Sequence, residues 1–185
     1  MIRFDEFVHE IIRPPALIGG NIPDSAEKYR VVLIRDLPDF GYIRTYDVRG
    51  VPKTKITEKS LLRRNDVIVS LYGHVGKAGI VSAEIEGAIC GHTQAILRFK
   101  DRKAQNAKTL YLLLQTRAIT QYFAGLREQL PNRGRMARVA DLGAMPIPAV
   151  SDESRQLGSR LFDKMDKLLE DYKQLRDTIE NIFPG

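Results

Sequence analysis

The sequence predicts an α+β fold: a mixed, β-rich body with packed helices over residues 1–150, then one long C-terminal helix of coiled-coil type over 151–185. Three observations predict it. Apolar, β-branched runs punctuated by glycine crowd residues 66–100. The apolar period turns helical between Lys108 and Phe123. Finally, Leu161, Met165, Leu168, Tyr172, Leu175, Ile179 and Ile182 recur at alternating intervals of four and three, the seam of a helix that pairs with another helix.

Taken in order, Phe4, Phe7, Val8, Ile11 and Ile12 predict a short helix over 4–13, ended by Pro14-Pro15. Gly19-Gly20-Asn21 and Pro23-Asp24-Ser25 read as loop. Tyr29–Ile34 and Tyr42–Tyr46 are strand candidates, and Arg49–Lys53 reads as a turn-like basic connection. Asp66–Tyr72 predicts a strand buried on both faces, and Gly73, Gly76 and Gly79 predict tight turns before Ile80–Ser82. The alternation from Thr93 to Lys100 predicts a half-buried strand. One helix is expected over Lys108–Phe123, stopped at Gly125, with a basic loop over 126–138 after it. A short turn at Val139–Leu142 leads to Met145-Pro146-Ile147-Pro148, whose prolines allow only an edge strand or an extended segment. Ser151 or Asp152 caps the final helix, Asp152 and Glu153 suit its dipole, and Pro184-Gly185 stops it. Leu169 and Phe162 widen its apolar stripe, so docking onto the body is the competing expectation to a partner helix.

Composition narrows the function classes. The 185 residues carry a net charge of +6, with one Cys and no Trp. A lone Cys excludes an internal disulfide framework and a cysteine-rich zinc site. No apolar run approaches the ~20 residues of a membrane span, and no signal peptide is apparent at Met1, so a soluble cytoplasmic protein with no membrane partner is expected. The charge is divided: residues 61–150 hold thirteen basic and six acidic residues, and 151–185 hold six basic and eight acidic. A basic body beside an acidic tail points to a polyanion for one part and a different partner for the other.

Candidate sites follow from this division. His9, His74 and His92 lie on separate segments without ligand spacing, so no metal site is predicted. Gly73-x-x-Gly76-x-x-Gly79 lacks the Lys-Ser/Thr pair and the following helix of a phosphate loop. No catalytic constellation is assigned. Two basic groups remain, Arg44, Arg49, Lys53 and Lys55 in one, and Arg127, Arg133, Arg135 and Arg138 with Gln129 and Asn132 in the other. Arginine offers a fork for phosphate or guanine, and Asn or Gln matches adenine. With His74 and Lys77 in the glycine-rich connection, these basic residues are the candidate DNA contacts, Arg127 excepted.

The order of the elements resembles the specificity (S) subunit of type I restriction-modification enzymes. Leu61-Leu62-Arg63-Arg64-Asn65-Asp66-Val67-Ile68-Val69-Ser70, running to Gly73, is similar to the family's Leu-x-x-Gly-Asp-Ile-Leu-hydrophobic-Ser strand, with Asn65 in place of glycine. Thr109–Thr116 resembles its Tyr-Leu-x-x-x-Leu-x-Ser helix. Asp141–Pro148 resembles the Asp-Leu-x-x-hydrophobic-Pro-hydrophobic-Pro segment that closes the target recognition domain, and Ser151–Leu157 opens the helix placed after it. The resemblance implies a non-catalytic subunit that reads double-stranded DNA and directs methylase and restriction subunits. It implies no cofactor in this chain, with S-adenosylmethionine in the partner methylase.

That family carries two recognition domains and two helical spacers per chain, whereas one of each is legible here. The expectation is a half-size form acting as a homodimer, its C-terminal helices pairing antiparallel. The seam from Leu161 to Ile182 spans about 33 Å at ~1.5 Å per residue. Two bodies at opposite ends of such a spacer sit at least a DNA turn (~34 Å) apart and would read a bipartite target. The alternative expectation is a coiled-coil adaptor or oligomerisation protein that binds or regulates such subunits without reading DNA.

Overall fold

The computed structural model describes residues 1–16, 27–129 and 136–183. Its elements run β1 (Ile2–Arg3), α1 (Phe4–Phe7), β2 (Glu10–Ile12), β3 (Lys28–Val32), β4 (Tyr42–Ile43), β5 (Asp47–Gly50), β6 (Val67–Ser70), β7 (Ala78–Val81), β8 (Ile89–Cys90) and β9 (Gln94–Arg98). Helices then predominate: α2 (Ala104–Leu114), α3 (Arg117–Gln129), α4 (Val139–Gly143), strand β10 (Pro146–Ile147) and the 31-residue α5 (Asp152–Ile182). The two glycine and proline loops expected within 17–26, the Pro131–Arg135 loop and the Pro184-Gly185 stop lie outside the described residues.

A five-stranded sheet, ordered β2-β9-β6-β7-β4, forms the centre. It is antiparallel except where β4 joins β7 in parallel. The run Val67–Ser70 lies third in the order and is buried throughout, as its unbroken apolar character predicts. Val67, Val69, Ala95 and Leu97 face a layer built from Leu110, Tyr111, Leu114, Ile119 and Phe123. Ile68, Val81 and Ile96 face the other way, onto Val32, Leu37, Leu62, Ile85 and Cys90. A smaller sheet, β5-β3-β8, is antiparallel between β3 and β5 and parallel between β3 and β8. Strands β1 and β10 pair antiparallel, fastening the first residues to the segment that enters α5.

Several expectations change. The helix over 4–13 lasts one turn, and Glu10–Ile12 becomes a strand against Arg98–Ile96. Two β-branched residues and the following proline pair favour an edge ladder there over a second helical turn. Residues 47–50 form β5 rather than a turn, because β3 offers a partner from Lys28↔Gly50 to Val31↔Asp47, and a 3-10 turn follows at Lys53–Lys55. Strand β9 is buried along its whole length instead of on one face, since both sides of the sheet are covered. The single helix over 108–123 is two, with a break at Gln115-Thr116 where the Thr116 hydroxyl donates to the Leu113 carbonyl at 2.7 Å. Gly125 does not stop α3, which continues to Gln129, so Arg127 and Gln129 are helical.

Two local conformations explain residue choices. Gly76 has φ +93°, and a Cβ there would lie 2.5 Å from Phe123 Cδ2, so this turn takes glycine for conformation and for space. Asn65 has φ +67°, at the position where the resembling motif has glycine, and asparagine is among the side chains that tolerate this region best. Its side-chain amide also donates to the Arg102 carbonyl at 2.8 Å.

The long helix is anchored at its near end and projects beyond it. Ser151 Oγ accepts from the Ser154 N–H at 3.1 Å as the N-cap. Phe162 is fully buried, stacked on Phe40 at 5.1 Å and edge-on to Tyr42 and Tyr111 at 5.5 and 5.6 Å. Lys108 pairs with Asp163, and Arg155 Nη1 donates to Asn106 Oδ1 at 2.9 Å. From 167 to 183 every residue is exposed. The competing docking expectation is thus met by Phe162 alone, while the seven seam residues remain 45 to 64% exposed. At ~1.5 Å per residue the helix is about 46 Å long.

Candidate nucleic-acid interface

The predicted contact residues fall on distinct parts of the body. Arg49 stands on β5, and its guanidinium donates to Asp47 Oδ2 from Nη2 at 2.8 Å and from Nε at 3.3 Å. Arg35, in the 3-10 turn after β3, donates to the same oxygen at 2.6 Å. Two arginines therefore share one carboxylate and leave one positive charge over. Their hydrogen bonds, Arg49's first and Arg35's second, hold the Asp47 carboxyl below its ordinary range. Lys53, in the next turn, lies 3.5 Å from Glu27. Lys55 shares that turn, and its side chain lies outside the described residues.

A second group lies across the five-stranded sheet from this one. His74, Lys77, Asp39, Gln115 and Arg127 line a groove of about 300 Å³ between the β6–β7 turn and the helices. Lys77 Nζ sits 3.5 Å from Asp39. Arg44 stands apart, 3.6 Å from Asp166 on α5, where it ties the β4 region to the helix. Arg138 caps α4 and not a flexible loop: its backbone N–H donates to Asp141 Oδ2 at 2.8 Å and its Nη2 to Oδ1 at 2.9 Å. The hydrogen bond from Arg138 lowers the Asp141 carboxyl, and the same bond raises the guanidinium. Arg133 and Arg135 lie outside the described residues.

The structure thus brings together His74 with Lys77 in one groove, and holds Arg49 and Lys53 on separate acids, Asp47 and Glu27. It leaves Arg44 and Arg138 as separate structural cations. Arg44, Arg49, Lys53, Lys77 and Arg138 each face an acid. Exposed pairs of this kind are worth only ~0–1 kcal/mol, so a phosphate can take over the cation at little cost.

Sequence reasoning missed Arg35, expected too little burial at Gln94 and misplaced Arg127. Arg35 was hidden because it follows an apolar run, and only its shared bond to Asp47 places it beside Arg49. Gln94 was read as one polar step in a half-buried strand. It is 1% exposed, its Oε1 accepting from the Gly91 N–H at 3.2 Å. Arg127 was grouped with the loop arginines, yet α3 carries it to the His74–Lys77 groove. The interior also holds an ion pair with no sequence signature: Arg98 donates from Nε and Nη2 to both oxygens of Asp66, at 3.0 and 2.7 Å. Burial pushes the Asp66 carboxyl up against the pull of Arg98. Among the described residues no group of three or more His, Cys, Asp or Glu side chains is placed to hold a metal ion, and no helix is long and apolar enough to cross a membrane.

Solved structures share this architecture. One is a chain from work on complex assembly and conformational transition of the type I R-M system, with TM-score 0.61, 17% identity, and coverage of 97% of this chain and 41% of that one. The HsdS subunit from Thermoanaerobacter tengcongensis matches with TM-score 0.61 at 17% identity, over 96% of this chain and 43% of its own. The type I restriction-modification S subunit from M. genitalium matches with TM-score 0.57 at 16% identity, over 96% and 41%. The chain spans about two-fifths of the length of these structures. No protein-family model and no curated protein matches the sequence. The α+β body with its long C-terminal helix is the fold of type I specificity subunits.

Proposed function

We propose that this chain is a type I specificity-subunit module that reads double-stranded DNA and is not itself an enzyme. Its body, residues 1–150, reads one half of a bipartite target. The helix, 151–185, pairs antiparallel with that of a second copy, sets the distance between the two bodies and directs methylase and restriction subunits to the site. The methylase would supply S-adenosylmethionine, and the assembly would work in the cytoplasm. One observation carries this reading: in a chain with the specificity-subunit fold, the seven-residue seam of α5 is left uncovered by the body. An apolar stripe at 3.5-residue spacing is stable in water when a second helix covers it.

Phosphates would engage Arg49 and Lys53 on one side and Lys77 with His74 on the other, giving affinity that falls with salt. Arg133 and Arg135 belong to the same proposal. The test is to select duplexes bound by the full chain, then to map adenine methylation after adding a cognate methylase subunit. Salt-dependent binding to an inverted repeat, with methylation that depends on this chain, is expected. Absence of both would overturn the reading.

A second reading has its own support. Arg44, Arg49, Lys53, Lys77 and Arg138 all face acids, and of these pairs only the Asp47 cluster, where Arg35 and Arg49 share one carboxylate, keeps a positive charge over. An adaptor that binds restriction-modification subunits through α5 alone would bind them while duplex affinity stayed undetectable at ~0.1 M salt, where the Debye length is ~10 Å.

A further inference from the structure

The apolar seam of α5 does not stop where the helix meets the body. Carried back from Leu161 at the same alternating intervals, it falls on Gly158 and then on Ser154, two small residues. Both line a mainly apolar groove of about 310 Å³ between α2 and the start of α5, walled by Leu112, Leu113 and Val150. Gly158 lies close on α2: a Cβ there would sit 3.4 Å from Thr109 Oγ1 and 3.8 Å from Leu112 Cδ1. A row of large exposed side chains thus leads into a hollow bordered by small ones.

The far end of the helix has what such a hollow lacks. Ile182 and Phe183 are 63 and 75% exposed. Phe183 follows Phe162 by 21 residues, three whole heptads, so it lies on the side of α5 that at Phe162 faces the body. In an antiparallel pair related by a twofold axis, equivalent sides of the two helices lie together, so Phe183 of a second copy points toward this chain's body. Two heptad-matched registers set six of the seven seam residues against one another. One pairs Leu161 with Ile179, Met165 with Leu175 and Leu168 with Tyr172, and it brings Ile182 of the second copy over Gly158. The other, one heptad along, pairs Met165 with Ile182 and leaves Leu161 uncovered. The first covers the whole seam and also sets Leu169, 42% exposed, against Leu169 across the axis. We propose that the groove between α2 and α5 is a socket for a second copy of this chain, filled in the first register by that copy's Ile182 and Phe183. The inference rests on the antiparallel pairing proposed above and fixes its register, making each body part of the interface.

Cysteine crosslinking of the full chain reads the register, because the natural Cys90 is buried and the seam positions are exposed. A disulfide needs Cα atoms within ~7 Å, whereas positions 165 and 175 of one helix lie about 15 Å apart, so a bond between them joins two copies. Under copper–phenanthroline and dissolved oxygen, Met165→Cys with Leu175→Cys should give covalent dimer, as should Leu169→Cys alone. Met165→Cys with Ile182→Cys should not. The groove is read by sedimentation of the dimer. Ile182→Ala with Phe183→Ala should weaken self-association by roughly tenfold or more, the scale of two apolar side chains leaving a contact. Leu113→Glu should weaken it comparably, although it lies on the body and off the helix, with thermal melting showing the variant folded. Ser154→Glu repeats that test on the exposed rim, where it keeps the capping pattern with Ser151 and carries no folding risk. Tip and groove variants combined should lose less than the sum of their separate effects. A dimer that crosslinks through 165 and 182, or whose affinity ignores both groove variants, overturns the socket and leaves self-pairing standing. A chain that stays monomeric at every concentration removes self-pairing and the socket together.

Discussion

Charged side chains in this protein do their structural work in pairs, and the pairs differ in what they are worth. Arg98 lies 3% exposed on β9, and Asp66, 2% exposed, precedes β6. The guanidinium also donates to the Lys59 and Leu61 carbonyls at 3.2 and 2.8 Å, so all its polar contacts converge on the segment before β6. Arg98→Leu would strand the Asp66 carboxylate and both carbonyls; a loss of about 3–5 kcal/mol in urea unfolding is expected. The Arg138–Asp141 pair is exposed and acts through helix capping, so Asp141→Asn should cost only ~1 kcal/mol. Its pH dependence has a definite sign. Arg138 depresses the Asp141 carboxyl in the folded state, so this contribution is present above the unfolded value of ~3.9 and fades as pH falls through the lower folded value. The stability difference between wild type and Asp141→Asn should accordingly shrink on acidification, followed by melts between neutral pH and pH ~3. The candidate cations were legible as residue types in loops. Their acid partners were not, because Arg44–Asp166, Lys53–Glu27 and Lys77–Asp39 join positions that only the fold brings together.

At the scale of elements, long periodic segments were readable and short ones were not. Strand β6 and helix α5 each carry an unbroken pattern that needs no tertiary context to interpret. Strand β2 and strand β5 exist because an edge was waiting for them at β9 and β3, a fact absent from their own three or four residues. The split between α2 and α3 likewise sits inside one continuous apolar pattern, and only a threonine hydroxyl bonded to the preceding turn marks it. In α5 the seam was legible, and of the two residues that widen it, Phe162 docks on the body while Leu169 stays exposed. Phe162 lies one residue off the seam and enters an aromatic cluster with Phe40, Tyr42 and Tyr111. Phe162→Ala should cost about 3–5 kcal/mol, with the loss confined to stability when α5 is followed by hydrogen exchange. Protection should fall first in 152–166, the stretch in contact with the body. Uniform protection of that stretch in the variant would show the anchor to lie elsewhere.

For the whole molecule, the consequential surface is the apolar stripe from Leu161 to Ile182, which the chain leaves exposed along its projecting end. Under the proposed pairing, Leu168→Asp with Leu175→Asp should convert a dimer to a monomer in sedimentation at the same concentration. The melting temperature of the body should move little, since exposed substitutions usually stay within ~0.5 kcal/mol. A wild-type chain that sediments as a monomer at every concentration would remove self-pairing from the model. The basic clusters add a thermodynamic signature to any polyanion complex. Under the proposed function Arg49 and Arg35 would both come to a phosphate from Asp47, whose carboxyl they depress. Once the arginines leave, that carboxyl returns toward ~3.9. Capture of a polyanion would then draw a proton from the buffer at and below about pH 4, and the heat of association there would vary with the buffer's own ionisation enthalpy. Affinity would climb on acidification through that window, so a single aspartate makes the protein's grip on its ligand a proton-coupled exchange.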